Sequence, residues 1–143
     1  MFKVIGFDNK EHVFNYSKHN KRKYDTNKSS LHIKARELIK ELFSQYSVYE
    51  EITLPGSKRA VKQSLLFADF YIPDLALVVE VHGQQHYEYS SFFHKSVLHF
   101  YQCKKRDKDK IEWCENNGIE VIELPYNRKK EWKEILQKVR PIQ

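Results

Sequence analysis

Near the N-terminus, apolar and polar positions alternate in two short stretches, Lys3–Phe7 and His12–Tyr16. The polar Asp8-Asn9-Lys10-Glu11 between them predicts a small β-hairpin. Ser17–Ser30 is polar and basic and reads as an arm. The period then changes: Leu31, Ala35, Leu38, Ile39, Leu42, Phe43 and Tyr46 share one helical face. That predicts a helix capped by Ser29 or Ser30 and running to about Tyr46. Val48–Leu54 is strand-like, and Pro55-Gly56-Ser57-Lys58-Arg59 is a basic turn. Leu65–Ile72 and Leu77–His82 are near-continuous apolar runs, the pattern of strands buried on both faces. After Gly83 an irregular aromatic stretch leads to a helix over about Val97–Asn117, closed by Gly118. Ile119–Leu124 is a further strand and Arg128–Val139 a last helix. The order α-β-β-β-α-β plus one helix predicts a mixed α/β domain over residues 30–143, preceded by the hairpin and arm of residues 1–29.

Composition narrows the class. The 143 residues are 41% hydrophobic and 14% aromatic, enough for one packed core and unlike a disordered tail. No apolar run approaches a membrane span and no signal core is present, so a soluble, intracellular (cytoplasmic) protein without a membrane partner is expected. Cys103 and Cys114 are the two cysteines; on one helix they stand roughly 16 Å apart, too far for a disulfide. The formal charge of +6 favours a polyanionic partner. Its distribution says more. Between Gln63 and His94 there is no Lys or Arg, while Asp69, Asp74, Glu80 and Glu88 interrupt that stretch. Core strands exclude lysine, but that does not explain acids inside apolar runs.

A turn centred on Asp74-Leu75 sets Asp69 directly opposite Glu80. Like charges opposed across a ladder destabilise it, and more so in a low-dielectric core. Either one carboxyl is protonated or a cation sits between them, and hard oxygen ligands suit Mg²⁺ or Mn²⁺. The bland alternative is a solvated acid at a strand end. His82 follows Glu80 by two residues and leaves the same strand face. Asp107 falls on the helical stripe of Phe100, Cys103, Ile111 and Cys114, and a charge there needs a partner. His86, four residues after His82, is a candidate for that partner, in a dyad that fixes its tautomer. A packed ring and a helix-packing salt bridge are the structural alternatives. His99, Cys103 and Cys114 lie near one helical face, but no further cysteine pair completes a zinc set.

Phe67-Ala68-Asp69-Phe70-Tyr71-Ile72-Pro73 followed by Val79-Glu80-Val81-His82-Gly83-Gln84-Gln85-His86 resembles the PD-(D/E)XK nuclease superfamily. Within it the chain is most similar to the very-short-patch-repair-like endonucleases, including EDxHD homing endonucleases. The similarity continues through Arg106-Asp107-Lys108-Asp109-Lys110 and Gly118-Ile119-Glu120-Val121-Ile122, and covers about residues 30–125. The resemblance implies a restriction-endonuclease-like αβββαβ core with a mixed central sheet. It also implies Asp69 and Glu80 as metal ligands, with the Val81 carbonyl as a third. Where the (D/E)XK pattern has lysine, this chain has His82, as the very-short-patch branch does. Gln84 stands at that branch's cysteine position, so its structural zinc is not expected. For the helical glutamate of the EDxHD pattern, His32 stands in phase and Glu37 is the nearest acid.

The expectation is a Mg²⁺-dependent (or Mn²⁺-dependent) endonuclease that hydrolyses DNA phosphodiester bonds. Asp69 and Glu80 hold the metal, and His82 is base or transition-state stabiliser, assisted by His86 and Asp107. Lys21-Arg22-Lys23, Lys58-Arg59 and Lys104-Lys105-Arg106 are candidates for phosphate contacts, or plain solvated surface. Tyr87, Tyr89, Phe92 and Phe93 are candidates to stack on bases. With one site per chain, nicking or cutting as a homodimer is expected. The competing readings are a catalytically inactive nucleic-acid-binding module of the same fold and a metal-dependent RNase.

Overall fold

The computed structural model of the chain describes residues 2–16, 29–59 and 63–139. Its elements are β1 (Phe2–Ile5), β2 (Glu11–Phe14), α1 (Ser30–Leu42), β3 (Tyr49–Thr53), β4 (Phe67–Ile72), β5 (Leu77–His82), α2 (Val97–Asn116), β6 (Glu120–Pro125) and α3 (Trp132–Gln137). β1 and β2 form the predicted hairpin. The other strands form one sheet in the order β3-β4-β5-β6, antiparallel up to β5 and parallel between β5 and β6. A parallel pair needs a crossover, and α2 is that crossover. The result is a mixed α/β fold. No helix among the described residues is long and apolar enough to cross a membrane.

The sheet separates two cores. Phe70, Ile72, Leu77, Val79 and Leu124 pack against Ala35, Ile39 and Phe43 of α1 and against Trp132 and Leu136 of α3. On the other face Tyr71, Val78 and Ile52 meet Trp113 and Cys114 of α2, together with Val4 and Phe14 of the hairpin. The hairpin is therefore part of a core layer. Asn117, just past α2, ties it down by accepting from the Ile5 N–H (2.7 Å) and donating to the Ile5 carbonyl (3.1 Å). Gly6 and Gly56 allow the hairpin to touch the turn after β3; a Cβ on Gly6 would stand 2.8 Å from the Gly56 Cα. Both buried tryptophans place their indole N–H on carbonyls, Trp113 on Pro55 (2.9 Å) and Trp132 on Pro125 (2.8 Å).

Two helices differ from expectation. Ser29 caps α1 by accepting from the His32 N–H (3.2 Å), as predicted, but the helix ends at Leu42 rather than Tyr46. Phe43 and Tyr46 continue the apolar period without continuing the helix; their rings lie 6.4 Å apart across a turn. The last helix is not continuous over Arg128–Val139: a 3₁₀ segment (Tyr126–Glu131) precedes the six residues of α3, and Arg128 has non-helical angles (φ −133°, ψ 37°).

The β4–β5 register pairs Phe70 with Val79, Tyr71 with Val78 and Ile72 with Leu77. Continued by one rung, it sets Asp69 against Glu80, as the turn position predicts. The regular ladder stops before that rung. On the other side of β4, Glu51 has a positive φ of 52°, rare for a residue with a side chain. The pleat reverses there: Ala68 and Tyr71, three residues apart, both pack toward α2. Asp69 thus lies just beyond the regular β4–β5 pairing.

Candidate active site

Backbone groups freed at a broken rung need other partners, and here two carboxylates supply them. The Asp69 N–H donates to Glu80 Oε2 (2.8 Å), and the Val81 N–H donates to Asp69 Oδ2 (2.9 Å). Glu80 is 2% exposed. Burial first, then the Asp69 charge, raise its pKa to about 8, with the neighbouring Lys110 ammonium pulling the other way. Glu80 Oε1, shut off from water, faces the Lys110 ammonium, which reaches it from α2. The Lys110 pKa is raised: burial alone would lower it, but Glu80 and Asp69 outweigh burial and keep the ammonium charged.

Lys110 is therefore the cation that the opposed acids require. Sequence reasoning points to protonation or a bound metal and misses a lysine supplied by the chain itself. One signal is present: Lys110 follows Asp107 by three residues and precedes Cys114 by four, so it belongs to the same inward stripe.

β5 continues into His82, which is 5% exposed, and a 3₁₀ turn, Gln84–His86, then folds the chain back. This turn stacks His86 on His82, with ring centroids 4.2 Å apart and planes within 1°. His86 Nδ1 donates to Asp107 Oδ2 of α2 at 2.9 Å, forming the dyad expected from the sequence. The Asp107 pKa is lowered; burial opposes this, but the hydrogen bond and charge of His86 prevail. An ionised Asp107 accepts a hydrogen bond from His86 Nδ1 and leaves Nε2 as the ring nitrogen outside the dyad. The His82 pKa is depressed to about 4, by burial first and then by His86, so its ring is neutral at pH 7. Glu123 Oε2 of β6 lies 3.5 Å from His82 Nδ1, and burial pushes the Glu123 pKa up.

Asp69, Glu80, Val81, His82, His86 and Lys110 line one cleft of about 550 Å³, joined by His32 from the start of α1 and by Tyr126. His32 is committed elsewhere than to these acids: its Nε2 donates to Glu50 Oε1 of β3 (2.7 Å), and Arg36 grips the same carboxylate through Nε (2.9 Å) and Nη2 (2.9 Å). Burial would raise the Glu50 pKa; the bonds from His32 and Arg36 outweigh it and hold the pKa below the usual range. Glu37 is exposed and is not among the residues lining the cleft. Glu50 is a second residue that sequence reasoning misses. Glu50→Ala should cost about 3 kcal/mol in chemical denaturation, because Arg36 (8% exposed) is left buried without a counter-charge. A loss under about 1 kcal/mol would mean water already solvates the pair.

The remaining sequence candidates fall in several places. Lys21-Arg22-Lys23 lies outside the described residues. Lys58 is exposed, but Arg59 pairs with Asp109 (3.1 Å) and with Glu112 of α2 and stacks on Phe7 (3.9 Å to the centroid). Lys104 lies over the Phe100 ring, Lys105 is exposed and Arg106 contacts Ser64 Oγ (3.5 Å). Phe92 is 86% exposed, and Tyr87, Tyr89 and Phe93 are also exposed, with Phe93 at the cleft margin. His94 braces this loop from inside, donating from Nε2 to the Gln85 carbonyl (3.0 Å) and accepting at Nδ1 from the Ser90 N–H (3.2 Å). Cys103 Sγ is 3.7 Å from His99 Nε2, while Cys114 is buried elsewhere in the α2 core, so the three do not converge as a zinc set.

No family model and no solved structure matches the chain. It is 36% identical over 74 residues to uncharacterized protein 307L of Invertebrate iridescent virus 6, covering 52% of this chain and 38% of that protein. It is 38% identical over 61 residues to uncharacterized protein 033L of Invertebrate iridescent virus 3, covering 43% and 31%. With uncharacterized protein 094L of Frog virus 3 (isolate Goorha) the identity is 35% over 82 residues, covering 57% and 50%. The chain thus spans between about a third and a half of the length of these curated relatives, and its likeness is to viral proteins whose names assign no activity.

Proposed function

We propose that the chain is a metal-dependent endonuclease of the restriction-endonuclease-like fold, hydrolysing DNA phosphodiester bonds at the cleft. One observation carries this reading: Asp69, the buried Glu80 apposed to it, and His86, anchored on Asp107, open on the same cavity. The donor set suits Mg²⁺ or Mn²⁺, since Asp69 and Glu80 offer hard oxygens and Val81, which lines the cleft beside them, adds a carbonyl. When bound, such a cation polarises the phosphate and stabilises charge building on its oxygens. Lys110 is the charge with which that cation shares Glu80.

The chain's own groups divide the remaining work. His86 Nε2, with Nδ1 anchored on Asp107, is the better-placed proton acceptor for an attacking water. His82, neutral and stacked on it, shields one face of that ring. The expectation from sequence differs: there His82 is base or transition-state stabiliser, assisted by His86 and Asp107. Lys110 offers an ammonium to a developing phosphate charge. Lys58, Lys105 and the aromatics around Phe92 are exposed groups available to hold a polyanion.

The direct test is incubation with supercoiled plasmid in Mg²⁺, Mn²⁺ or EDTA, followed by topology on a gel. Nicked or linear product with metal, and none with EDTA, is expected; nicking indicates one chain per event and linear product two. A binding-only module has one observation on its side, because Lys110 already neutralises Glu80 without a metal. Uncut plasmid under every cation, with retained duplex binding, would establish that reading instead. Preferential loss of a single-stranded RNA added beside the plasmid would mark an RNase.

A further inference from the structure

A second donor set with different chemistry stands beside the carboxylate pair. His82, His86 and Asp107 each present one ligand atom, and these atoms all lie within 4.8 Å of one another. They come from β5, the 3₁₀ turn after it, and α2, so the fold brings them together from separate parts of the chain. His82 makes no hydrogen bond among the described residues, although its side chain is only 7% exposed. Its Nδ1 stands 3.5 Å from Glu123 Oε2, too far for a hydrogen bond.

We infer that His82, His86 and Asp107 form a binding site for a borderline transition-metal ion such as Zn²⁺ or Co²⁺. Imidazole ligands select this class over Mg²⁺, which prefers an all-oxygen shell. The proton on His86 Nδ1 is what now bridges to Asp107. Both atoms become ligands if that proton leaves, as metal binding commonly requires. Lys110 is the nearby positive group that opposes a cation, but its ammonium is committed to Glu80. The site does not depend on the phosphodiester reading, since its donors are distinct from Asp69 and Glu80.

Co²⁺ titration of the metal-free protein tests it, with the visible d–d absorption as readout. A stoichiometric chromophore of low-symmetry imidazole–carboxylate type is expected, displaced by Zn²⁺ and not by a large excess of Mg²⁺. His82→Ala and Asp107→Asn should weaken Co²⁺ binding by about tenfold or more, the loss typical of removing a ligand or its orienting partner, while Glu37→Gln, exposed and away from the cleft, leaves it unchanged. If His82→Ala does not fold, His86→Gln together with imidazole ¹⁵N shifts of the parent on Zn²⁺ addition serves instead. Binding without shifts at His82 and His86, or equal binding by the folded variants, would overturn the site. Because Asp69→Asn and the plasmid assay report on the carboxylate pair, loss of the nuclease reading leaves this result standing, and the reverse also holds.

Discussion

Asp69→Asn should reduce plasmid cleavage by a factor on the order of 10³ or more, equivalent to the several kcal/mol that a bound metal contributes to a phosphoryl transition state. The same change should leave the fold intact. Asparagine retains an oxygen to accept the Val81 N–H, which Asp69 Oδ2 now holds at 2.9 Å. It also removes the second-largest cause of the raised Glu80 pKa, so the Glu80–Lys110 pair is relieved rather than strained. Duplex affinity should be equal or higher, since one negative charge leaves the cleft. The measurement is cleavage beside fluorescence anisotropy on one duplex, with a salt titration. Replacing Lys58 or Lys105 by a neutral residue should lower the slope of log affinity against log salt by roughly one for each phosphate it neutralises. Normal cleavage by Asp69→Asn would sink the mechanism, whereas an unchanged salt slope would leave those lysines as plain surface.

The Asp69–Glu80 opposition shows both the reach of the sequence and its limit. Pro73 and the short turn after it are enough to place the register, because a hairpin's pairing follows from its turn. That register then makes a physical demand, a cation or a proton between two acids. Both appear: Lys110 reaches Glu80, and the Glu80 pKa is raised. The lysine lies far along the chain, on a crossover helix, and only the tertiary packing of α2 brings it to β5. Local periodicity cannot carry that information. The His86–Asp107 dyad is legible because Asp107 sits on an otherwise buried stripe, which requires a partner whatever the fold. Glu50 is not, because half-buried acids in a short edge strand look like solvated ones until Arg36 is known to face them. The kink at Glu51 is equally silent in sequence, as nothing marks a glutamate for positive φ. The end of α1 is misplaced for a different reason: Phe43 and Tyr46 keep the hydrophobic period after the helical hydrogen bonds stop.

The stability of the metal-free protein in EDTA should be nearly flat between about pH 4.5 and 6.5 and then fall toward pH 8. Two opposed shifts produce this. Glu80 has a folded pKa of about 8 against 4.5 unfolded, so its contribution is full below pH 4.5 and is lost as pH rises to 8. The raised Glu123 runs in the same direction. His82 has a folded pKa of about 4 against 6.5 unfolded, so its contribution is full above pH 6.5 and is lost as pH falls to 4. Where the two windows overlap, each slope is about 1.4 kcal/mol per pH unit and the signs are opposite. Glu50 and Asp107, both held below their usual values, add acid losses only at the bottom of this range. Glu80→Gln removes one arm of the balance. Its stability overall should drop, since Lys110 loses its partner, but its slope is the diagnostic. Between about pH 4.5 and 6.5 it should gain roughly 2–3 kcal/mol with rising pH and then level off. His82→Asn should do the reverse, declining steadily from about pH 4.5 upward. Urea melts at half-unit pH steps measure both. Parallel profiles for the parent and the two variants would mean that neither buried group titrates as its surroundings require, and that the cleft is wetter than its packing indicates.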